Sequence, residues 1–182
     1  MALSATIYVF DITLNDADRG VYETLSFRVA RHPSETAEFL LTRVLAYCLE
    51  YAEGLEFSKG LSEPDSPALA VRDLTGALKS WIEVGTPEAD RLHKAAKNAR
   101  RVAVYAHRDV APLLARLGGA DIHRARDIEI HAIDRELLVA LVARLERRMA
   151  FDLAVTDRHL YLTVGTDTLS GAVVRHSIAP AA

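Results

Sequence analysis

Alternating apolar and polar residues near the N-terminus predict two β-strands joined by a turn. Residues 5–10 and 22–29 both alternate and are rich in β-branched or aromatic side chains, which favour extended backbone. Between them, the stretch from Asn15 to Gly20 supplies the short polar side chains and the glycine that turns use. The pattern therefore predicts a strand pair at the start of the sequence.

The next apolar positions recur at helical spacing and predict the most apolar helix of the chain. Its stripe comprises Leu41, Leu45, Cys48, Leu49 and Ala52, widened by Leu40, Val44, Tyr47 and Tyr51. Pro33 and Ser34 indicate where this helix begins, with Ser34 as its N-cap, and Gly54 indicates where it ends. A helix that is apolar over so much of its surface is expected at the centre of the fold.

Beyond this helix, strand-like and helix-like patterns alternate. Residues 55–67 include Gly60 and Pro64 and predict an irregular surface loop. The segments that follow are a hairpin of residues 68–73 and 77–84, a helix at 87–98, a strand at 101–106, a short helix from Asp109 to Gly118, a strand at 127–133, a helix from Asp134 to Arg147, and strands at 150–156, 159–164 and 171–178. This alternation predicts an α/β fold, with a mixed β-sheet flanked by helices.

Length and composition restrict the class of protein. The chain has 182 residues without a repeat or a linker-like segment, so residues 1–182 are expected to form a single domain. It has no apolar run of the roughly 18–20 residues that span a bilayer, and no basic-then-apolar leader segment. We therefore expect a soluble, cytoplasmic protein that does not bind membranes.

Charge and cysteine content restrict the chemistry further. The net charge is −3, whereas proteins that bind nucleic acid freely carry a basic excess. Contact with DNA or RNA would therefore depend on a local group of cations. The single cysteine, Cys48, excludes an intrachain disulfide, and its place in the apolar stripe predicts a buried, inert thiol.

An ordered set of short stretches carries a family resemblance. These stretches are residues 1–8, 30–38, 45–47, 55–61, 81–87 and 91–95. The most distinctive of them is the run from Ala30 to Glu38, which contains Arg31, His32 and Pro33. Taken together they resemble the YaeQ family over nearly the whole chain, and the resemblance is densest over residues 1–105.

The resemblance implies a variation on the PD-(D/E)XK nuclease core, with additional N- and C-terminal β segments. Enzymes with that core place a helix carboxylate, a strand Asp, a second strand carboxylate and a Lys around a divalent metal. On this basis Asp73 and Glu83 are the expected metal ligands and Lys94 the catalytic cation. Glu38 and Arg91 are expected to support them.

Gly85 marks a departure from the usual catalytic pattern of enzymes with the PD-(D/E)XK core. In an E-x-K motif the Lys follows the acid by two positions on the same strand face, and here that position is Gly85. The next predicted helix carries Arg91 and Lys94 on one face, so we expect Lys94 to reach into the space beside Gly85. Asp73 is expected near Lys79 or Ser80 across the hairpin, so it meets Glu83 only if the strands twist, bulge or pair differently.

These residues would support a defined chemistry if they converge. A Mg²⁺ ion held by Asp73 and Glu83 would lower the pKa of a bound water and screen the charge that develops on a phosphodiester. Lys94 would then stabilise the transition state. The leading hypothesis is therefore a divalent-metal-dependent phosphodiester hydrolase that resembles a nuclease.

Two alternatives remain open. The nuclease fold could persist without catalysis, as a module that binds nucleic acid or a protein partner. The chain could also be a scaffold in which Glu38, Asp73, Glu83 and Lys94 lie far apart as ordinary surface or helix-end charges. The sequence identifies no nucleic-acid contact residue and no oligomeric state.

Overall fold

The computed structural model describes residues 4–58 and 65–179. Within these ranges the strands are β1 (Thr6–Asp16), β2 (Val21–Arg31), β3 (Leu55–Phe57), β4 (Leu69–Arg72), β5 (Leu78–Val84), β6 (Arg101–Ala106), β7 (Glu129–Ile133), β8 (Arg148–Thr156), β9 (His159–Val164) and β10 (Asp167–Ser177). The helices are α1 (Ala37–Leu49), α2 (Ala89–Asn98), α3 (Ala111–Gly118) and α4 (Arg135–Val142), and a 3₁₀ turn spans Ala125–Asp127. The predicted α/β class is confirmed.

All ten described strands belong to one mixed sheet, in the order β2-β1-β8-β9-β10-β7-β6-β5-β4-β3. The pairs β1–β8, β5–β6 and β6–β7 are parallel, and the other neighbours are antiparallel. The two outermost strands approach each other, because the rings of Phe27 on β2 and Phe57 on β3 lie 5.5 Å apart. Tyr47 of α1 contacts both rings, so the sheet is nearly closed around that helix.

Helix α1 occupies the interior of this curved sheet. Eight of its thirteen residues are buried, as expected for a helix that is apolar on nearly every face. It packs against α4 and against strands β5 and β6. Cys48 is completely buried there, as predicted, and burial raises the pKa of its thiol to about 12.

Helices α2 and α3 cover the opposite face of β5 and β6. Because side chains alternate along a strand, Ile82 and Val84 pack toward α1 while Trp81 packs with the second core. That second core includes Leu92, Val102, Val104, Leu113 and Leu117. Glu83 shares the face of Trp81 and therefore lies beneath α2.

The first helix begins and ends at residues other than those predicted. Thr36 is its N-cap, with Oγ1 accepting from Phe39 N at 3.1 Å, so the assignment of Ser34 is wrong. The hydroxyl of Ser34 instead bonds His32 Nδ1 at 2.7 Å. Gly54 does not end the helix either: it has φ +84 beside β4, where an added Cβ would lie 2.7 Å from Arg72 O.

Several further boundaries differ from the predictions, since β1 runs on to Asp16, into the predicted turn, and β10 begins at Asp167 rather than at residue 171. Residues 55–57 form β3 against β4, so that part of the predicted surface loop is wrong, while residues 59–64 lie outside the described ranges. The last helix ends at Val142 rather than Arg147, because the remaining residues turn into β8. The hairpin of β4 and β5 is confirmed, with an irregular register between Val71 and Arg72 and with Gly76 at φ +85.

The parallel strands determine where a site can form. Strands β5, β6 and β7 run in one direction, so Val84, Ala106 and Ile133 end at the same edge of the sheet. In α/β sheets that edge is where ligands usually bind. Within the described residues, no helix is long and apolar enough to cross a membrane.

Candidate functional site

Two adjoining cavities lie at the C-terminal edge of β5, β6 and β7. The larger has a volume of about 660 Å³ and is lined in part by Arg108, Arg116 and Arg135, so we name it the arginine chamber. The smaller, of about 440 Å³, is named the Glu83 chamber after the carboxylate in its wall. The two cavities share Thr36, Thr86, His107 and Arg108. Together they form one strand-end groove.

Residues at the start of three helices contribute to the arginine chamber. Thr36 is the N-cap of α1, Pro112 lies in the first turn of α3, and Arg135 begins α4. Backbone N–H groups at the start of a helix carry partial positive charge and favour anions. Asp109 and Asp134 bond such N–H groups at the starts of α3 and α4 and offset part of this effect, whereas the start of α1 is capped by the uncharged Thr36.

The cations of the arginine chamber differ in their partners. Arg116 Nη2 donates to Thr86 O and Pro87 O, and its Nη1 lies 3.4 Å from Glu88. Arg108 and Arg135 are exposed and make no ion pair with any residue in the described ranges. They can therefore bind an incoming anion without first breaking such a pair.

Two nearby acids accept hydrogen bonds from the backbone where helices begin, and of these Asp134 is the N-cap of its helix. Asp109 Oδ1 accepts from Ala111 N at 3.1 Å, and Asp134 Oδ1 accepts from Leu137 N at 2.8 Å. Glu38, in the first turn of α1, also lines the arginine chamber. The chamber wall thus combines three arginines with the acids Glu38 and Asp109.

His107 lies at the junction of the two chambers. Its ring meets Phe39 edge-on, with centroids 6.0 Å apart, and its Nδ1 is buried without a hydrogen-bond partner in the described part of the chain. Burial lowers the pKa of His107, the charge of Arg108 lowers it further, and Glu38 opposes both effects. His107 is therefore neutral at pH 7.

Glu83 is buried at the end of β5 and is already bonded. Its Oε1 accepts from Trp81 Nε1 at 2.5 Å and from Arg91 Nε at 2.8 Å. Burial raises the pKa of Glu83, and the bonds from Trp81 and Arg91 oppose that rise. Arg91 also donates to Ser66 O at 2.6 Å and lies over the Trp81 ring. The two predicted residues Glu83 and Arg91 therefore do meet, as a salt bridge at the edge of the groove.

Asp73 lies away from Glu83, at the tip of the hairpin. Its Oδ1 accepts from Thr75 N, Thr75 Oγ1 and Ala77 N, and these bonds help to lower the pKa of the exposed carboxyl. Six residues separate Ala77 from Glu83 (83 − 77 = 6), or about 20 Å at ~3.3 Å per residue along a strand. The bulge at Val71 and Arg72 does not shorten this separation enough for the two carboxylates to meet.

Lys94 is directed to the surface rather than to the space beside Gly85. Its Nζ donates to Asp65 Oδ1 at 2.8 Å, and both side chains are exposed. Phe39 borders the space at Gly85 instead, since a Cβ added there would lie 3.4 Å from Phe39 Cε2. Of the five predicted site residues, the groove thus contains Glu38, Glu83 and Arg91 but not Asp73 or Lys94.

The donors around the groove do not form a ligand set for a divalent cation. Across the described residues, no three His, Cys, Asp or Glu side chains are placed to hold a metal ion together. One oxygen of Glu83 is already bonded by Trp81 and Arg91, and Asp73 lies far from it. The expected Mg²⁺ therefore stays a prediction, and no chemical step is derived from it.

Neither the residue pattern nor the family resemblance identified His107, Arg108 or Arg135 as site residues. Their positions in the sequence could have indicated a site, because each residue follows a predicted strand. His107 and Arg108 follow β6, and Arg135 comes soon after β7. Polar residues directly after parallel strands meet at one edge of the sheet. Applying that rule to β6 and β7 would have identified all three residues.

A second polar cluster lies at the opposite end of these strands, around a cavity of about 370 Å³. Arg101 bonds Glu50 and Glu129, and Tyr105 donates to Glu50 at 2.6 Å. His131 bonds Glu129 at 3.0 Å, and Arg158 bonds His131 Nδ1 at 2.7 Å. We name these six residues (Glu50, Arg101, Tyr105, Glu129, His131 and Arg158) the Arg101 network. Its charges are directed at one another, so it joins α1 to β6, β7 and the β8–β9 turn.

These observations define a class: a mixed α/β protein with a nearly closed sheet around one helix and a polar groove at the ends of its parallel strands. The family model described as YaeQ protein matches residues 1–173. The chain belongs to the YaeQ family, and the resemblance noted in the sequence is confirmed.

Relatives and solved structures agree over nearly the full length. YaeQ of Escherichia coli (strain K12) is 32% identical over 165 residues, which are 90% of this chain and 91% of the relative. YaeQ of Salmonella typhi is 30% identical over 170 residues, 93% of this chain and 94% of that protein. The crystal structure of YaeQ from Pseudomonas syringae has a TM-score of 0.88 and 32% identity, covering 95% of this chain and 96% of that one. The structure of YaeQ from Xanthomonas axonopodis pv. citri has a TM-score of 0.81 and 30% identity, covering 97% and 100%.

Proposed function

We propose that this YaeQ-family protein binds nucleic acid through its phosphates in the strand-end groove, as a module with a nuclease-like core that does not hydrolyse its ligand. The proposal rests on two arginines, Arg108 and Arg135, that have no ion-pair partner in the described ranges. They line a chamber to which the starts of three helices contribute. Guanidinium groups and helix N-termini both favour phosphate oxygens. Because four acids also line the groove (Glu35, Glu38, Glu83 and Asp109), phosphate binding would depend on the two unpaired arginines rather than on a positive excess.

The order of elements supports the nuclease-like core in this proposal. The family resemblance implies a helix, three strands, a helix and a strand in succession. The segments α1, β3, β4, β5, α2 and β6 follow one another in that order along the chain. The three-residue β3, which the sequence pattern did not predict, supplies the third strand.

Binding without hydrolysis is favoured over the metal-dependent hydrolase because of the positions of the predicted catalytic residues. Glu83 borders the groove, but Arg91 and Trp81 already bond its carboxylate. Asp73 caps the hairpin turn, and Lys94 pairs with Asp65. If the wild type cleaved DNA or RNA only with Mg²⁺, and Glu83→Gln abolished that cleavage, the metal-dependent hydrolase would be favoured instead.

The proposal is tested by fluorescence anisotropy with short single- and double-stranded DNA and RNA. The double variant Arg108→Ala/Arg135→Ala is expected to bind about tenfold more weakly or worse, a loss of ~1.4 kcal/mol or more. For single strands, losing two phosphate contacts should also reduce the salt dependence of log K by about 1.4, at ~0.7 per contact.

Arg126→Ala/Arg147→Ala is the matched control. Arg126 lies in the 3₁₀ turn before β7 and Arg147 follows α4, so these exposed arginines are far from the groove. The control removes the same charge and should bind like the wild type. Equal weakening in both double variants, or no binding of any oligonucleotide by the wild type, would overturn the proposal.

A further inference from the structure

We infer that the strand-end groove binds a nucleoside monophosphate unit, with the phosphate in the arginine chamber, the nucleoside in the Glu83 chamber and His107 between them. The unit could be a free nucleotide or the phosphorylated end of a strand, which offer the same chemistry. The inference rests on the proposed function for its phosphate and goes further in naming the ligand.

The size of the groove favours a nucleotide over a bare phosphate. The chambers measure about 660 and 440 Å³, each within the range of roughly 300–1,000 Å³ typical of small-molecule sites. They adjoin at His107 and Arg108, which line both. A ligand with two chemically different parts would suit two such neighbouring cavities.

The two chambers differ in how many of their charged side chains lack an ion-pair partner. Apart from Arg108, which lines both chambers, the charged groups of the Glu83 chamber are already paired, Glu83 with Arg91 at 2.8 Å and Glu35 with Arg43 at 2.7 Å. The rest of its wall includes the apolar groups of Phe39, Val84 and Pro87. That chamber suits an uncharged ring, whereas the arginine chamber suits the anion.

The unpaired charge favours a phosphate monoester over an internal phosphodiester. A monoester carries about −1.5 to −2 charges at neutral pH, whereas a diester carries one. Arg108 and Arg135 supply two positive charges that no carboxylate in the described ranges neutralises by pairing, and Glu38 and Asp109 are the acids in the same wall. The oxygens of a terminal phosphate carry more negative charge than those of an internal linkage and so form stronger ion pairs with the two arginines, while Glu38 and Asp109 reduce the net charge of the wall.

His107 is placed to recognise the point where phosphate and nucleoside join. Its Nδ1 is buried and unbonded in the described part of the chain, and the residue lines both chambers. A neutral imidazole carries one proton, and a buried lone pair is tolerated more readily than a buried N–H. We therefore assign the proton to Nε2, which could donate it to a phosphate or ribose oxygen without adding charge.

The test is calorimetric titration of the full chain with adenosine 5′-monophosphate, adenosine and inorganic phosphate. Adenosine 5′-monophosphate should bind, and each of the other two should bind at least about tenfold more weakly. His107→Ala should weaken binding of the nucleotide about tenfold and change phosphate binding little, and His107→Gln, which keeps a donor, should restore part of the loss. Thermal unfolding of each variant checks its folding, and the shift of the His107 ring signal on titration of the wild type provides a test that needs no variant.

Oligonucleotides separate the two sources of the unit and the two proposals. Strands with a 5′-phosphate, a 3′-phosphate or hydroxyls at both ends are compared by anisotropy. Tighter binding of a phosphorylated strand supports recognition of its end. Binding of adenosine 5′-monophosphate without binding of any strand supports the free nucleotide and overturns the proposed function. Equal binding of all three strands overturns this inference and leaves nucleic-acid binding intact, and an unmoved His107 signal also counts against it.

Discussion

At the scale of single residues, Glu83 illustrates how a buried charge depends on its neighbours. The carboxylate is buried, and its bonds from Trp81 and Arg91 offset part of the desolvation that raises its pKa. A buried ion pair adds little net stability, but removing one partner leaves the other charge uncompensated. Arg91 therefore has a structural role whatever the groove binds.

Arg91→Ala is expected to lower the free energy of unfolding by about 2 kcal/mol, less than the ~3–5 kcal/mol of fully buried pairs because the Arg91 side chain is 31% exposed. Urea unfolding with and without Glu83→Gln measures the effect. In Glu83→Gln the side chain that Arg91 contacts is uncharged, so Arg91→Ala leaves no buried charge without a partner. In that background Arg91→Ala should lower the free energy of unfolding by roughly half as much. An equal cost in both backgrounds would contradict the role of Arg91 as the partner of Glu83.

The pH dependence of that variant follows from the raised pKa of Glu83. A raised pKa means that the folded state holds a proton the unfolded state has released, so stability falls as pH rises from the ordinary value of 4.5 through the raised value. Removing Arg91 should make stability fall more steeply with pH. Without Arg91, less opposes the desolvation that raises the pKa of Glu83. Unfolding midpoints measured across that range should show the steeper fall in Arg91→Ala and its absence when Glu83→Gln is added.

The candidate site was predictable only in part at this scale. The resemblance identified Glu38, Glu83 and Arg91, which border the groove. Asp73 and Lys94 lie elsewhere, because Asp73 caps its own turn and Lys94 has a closer partner in Asp65. Such local bonds between side chains are not visible in strand or helix periodicity. The placement of Phe39 beside Gly85 likewise depends on how α1 packs inside the sheet.

At the scale of elements, the start of α1 shows how two adjacent cap signals compete. Ser34 and Thr36 are both residue types that cap helices, and the sequence alone favoured Ser34. The structure selects Thr36, because Ser34 bonds His32 and the Glu35 N–H bonds His32 O in the preceding turn. Element types were largely predictable, whereas this boundary was determined by hydrogen bonds over a few residues.

Thr36→Ala should therefore destabilise the protein by about 1 kcal/mol, the usual cost of losing an N-cap side chain. Ser34→Ala is the matched control and should change the free energy of unfolding by less than about 0.5 kcal/mol, as exposed substitutions do. Thermal or urea unfolding measures both. A larger loss in Ser34→Ala than in Thr36→Ala would show that the helix begins earlier than the structure indicates.

The Arg101 network connects elements at the end of the sheet opposite the groove. The hydrogen bond from His131 and the ion pair with Arg101 hold the pKa of Glu129 well below its usual range. A carboxyl with a lowered pKa contributes stability above its ordinary pKa of 4.5, and that contribution is lost as pH falls. Periodicity could not predict this network, because its members come from segments far apart in the chain.

Glu129→Gln should make the protein less stable at pH 7 and should narrow its difference from the wild type as pH falls below 4.5. Glu56→Gln, which removes the same charge from the exposed side of β3, is the control for net charge. Unfolding free energies from pH 3 to pH 8 provide the comparison. A difference from the wild type that stays constant over that range would exclude the proton-linked contribution of Glu129.

At the scale of the whole molecule, the alternating pattern correctly predicted a mixed sheet flanked by helices. It could not predict that the sheet curls almost fully around α1, because curling depends on contacts between distant residues. Phe27, Tyr47 and Phe57, from β2, α1 and β3, make those contacts across the two outermost strands. The groove and the Arg101 network lie at opposite ends of the same parallel strands of this curved sheet.

The parallel pairing of β1 with β8 has a consequence for how the chain matures on the ribosome. Val9 pairs with Arg148, which is synthesised 139 residues later (148 − 9 = 139). The hairpin of β1 and β2 therefore leaves the ribosome with one edge of β1 unpaired. That edge stays unpaired until β8, near the end of the chain, has been synthesised. Unpaired strand edges promote association with other chains, and long-range pairing slows folding. Synthesis of β8 is thus the step that covers this edge of β1, and β9 then covers the other edge of β8.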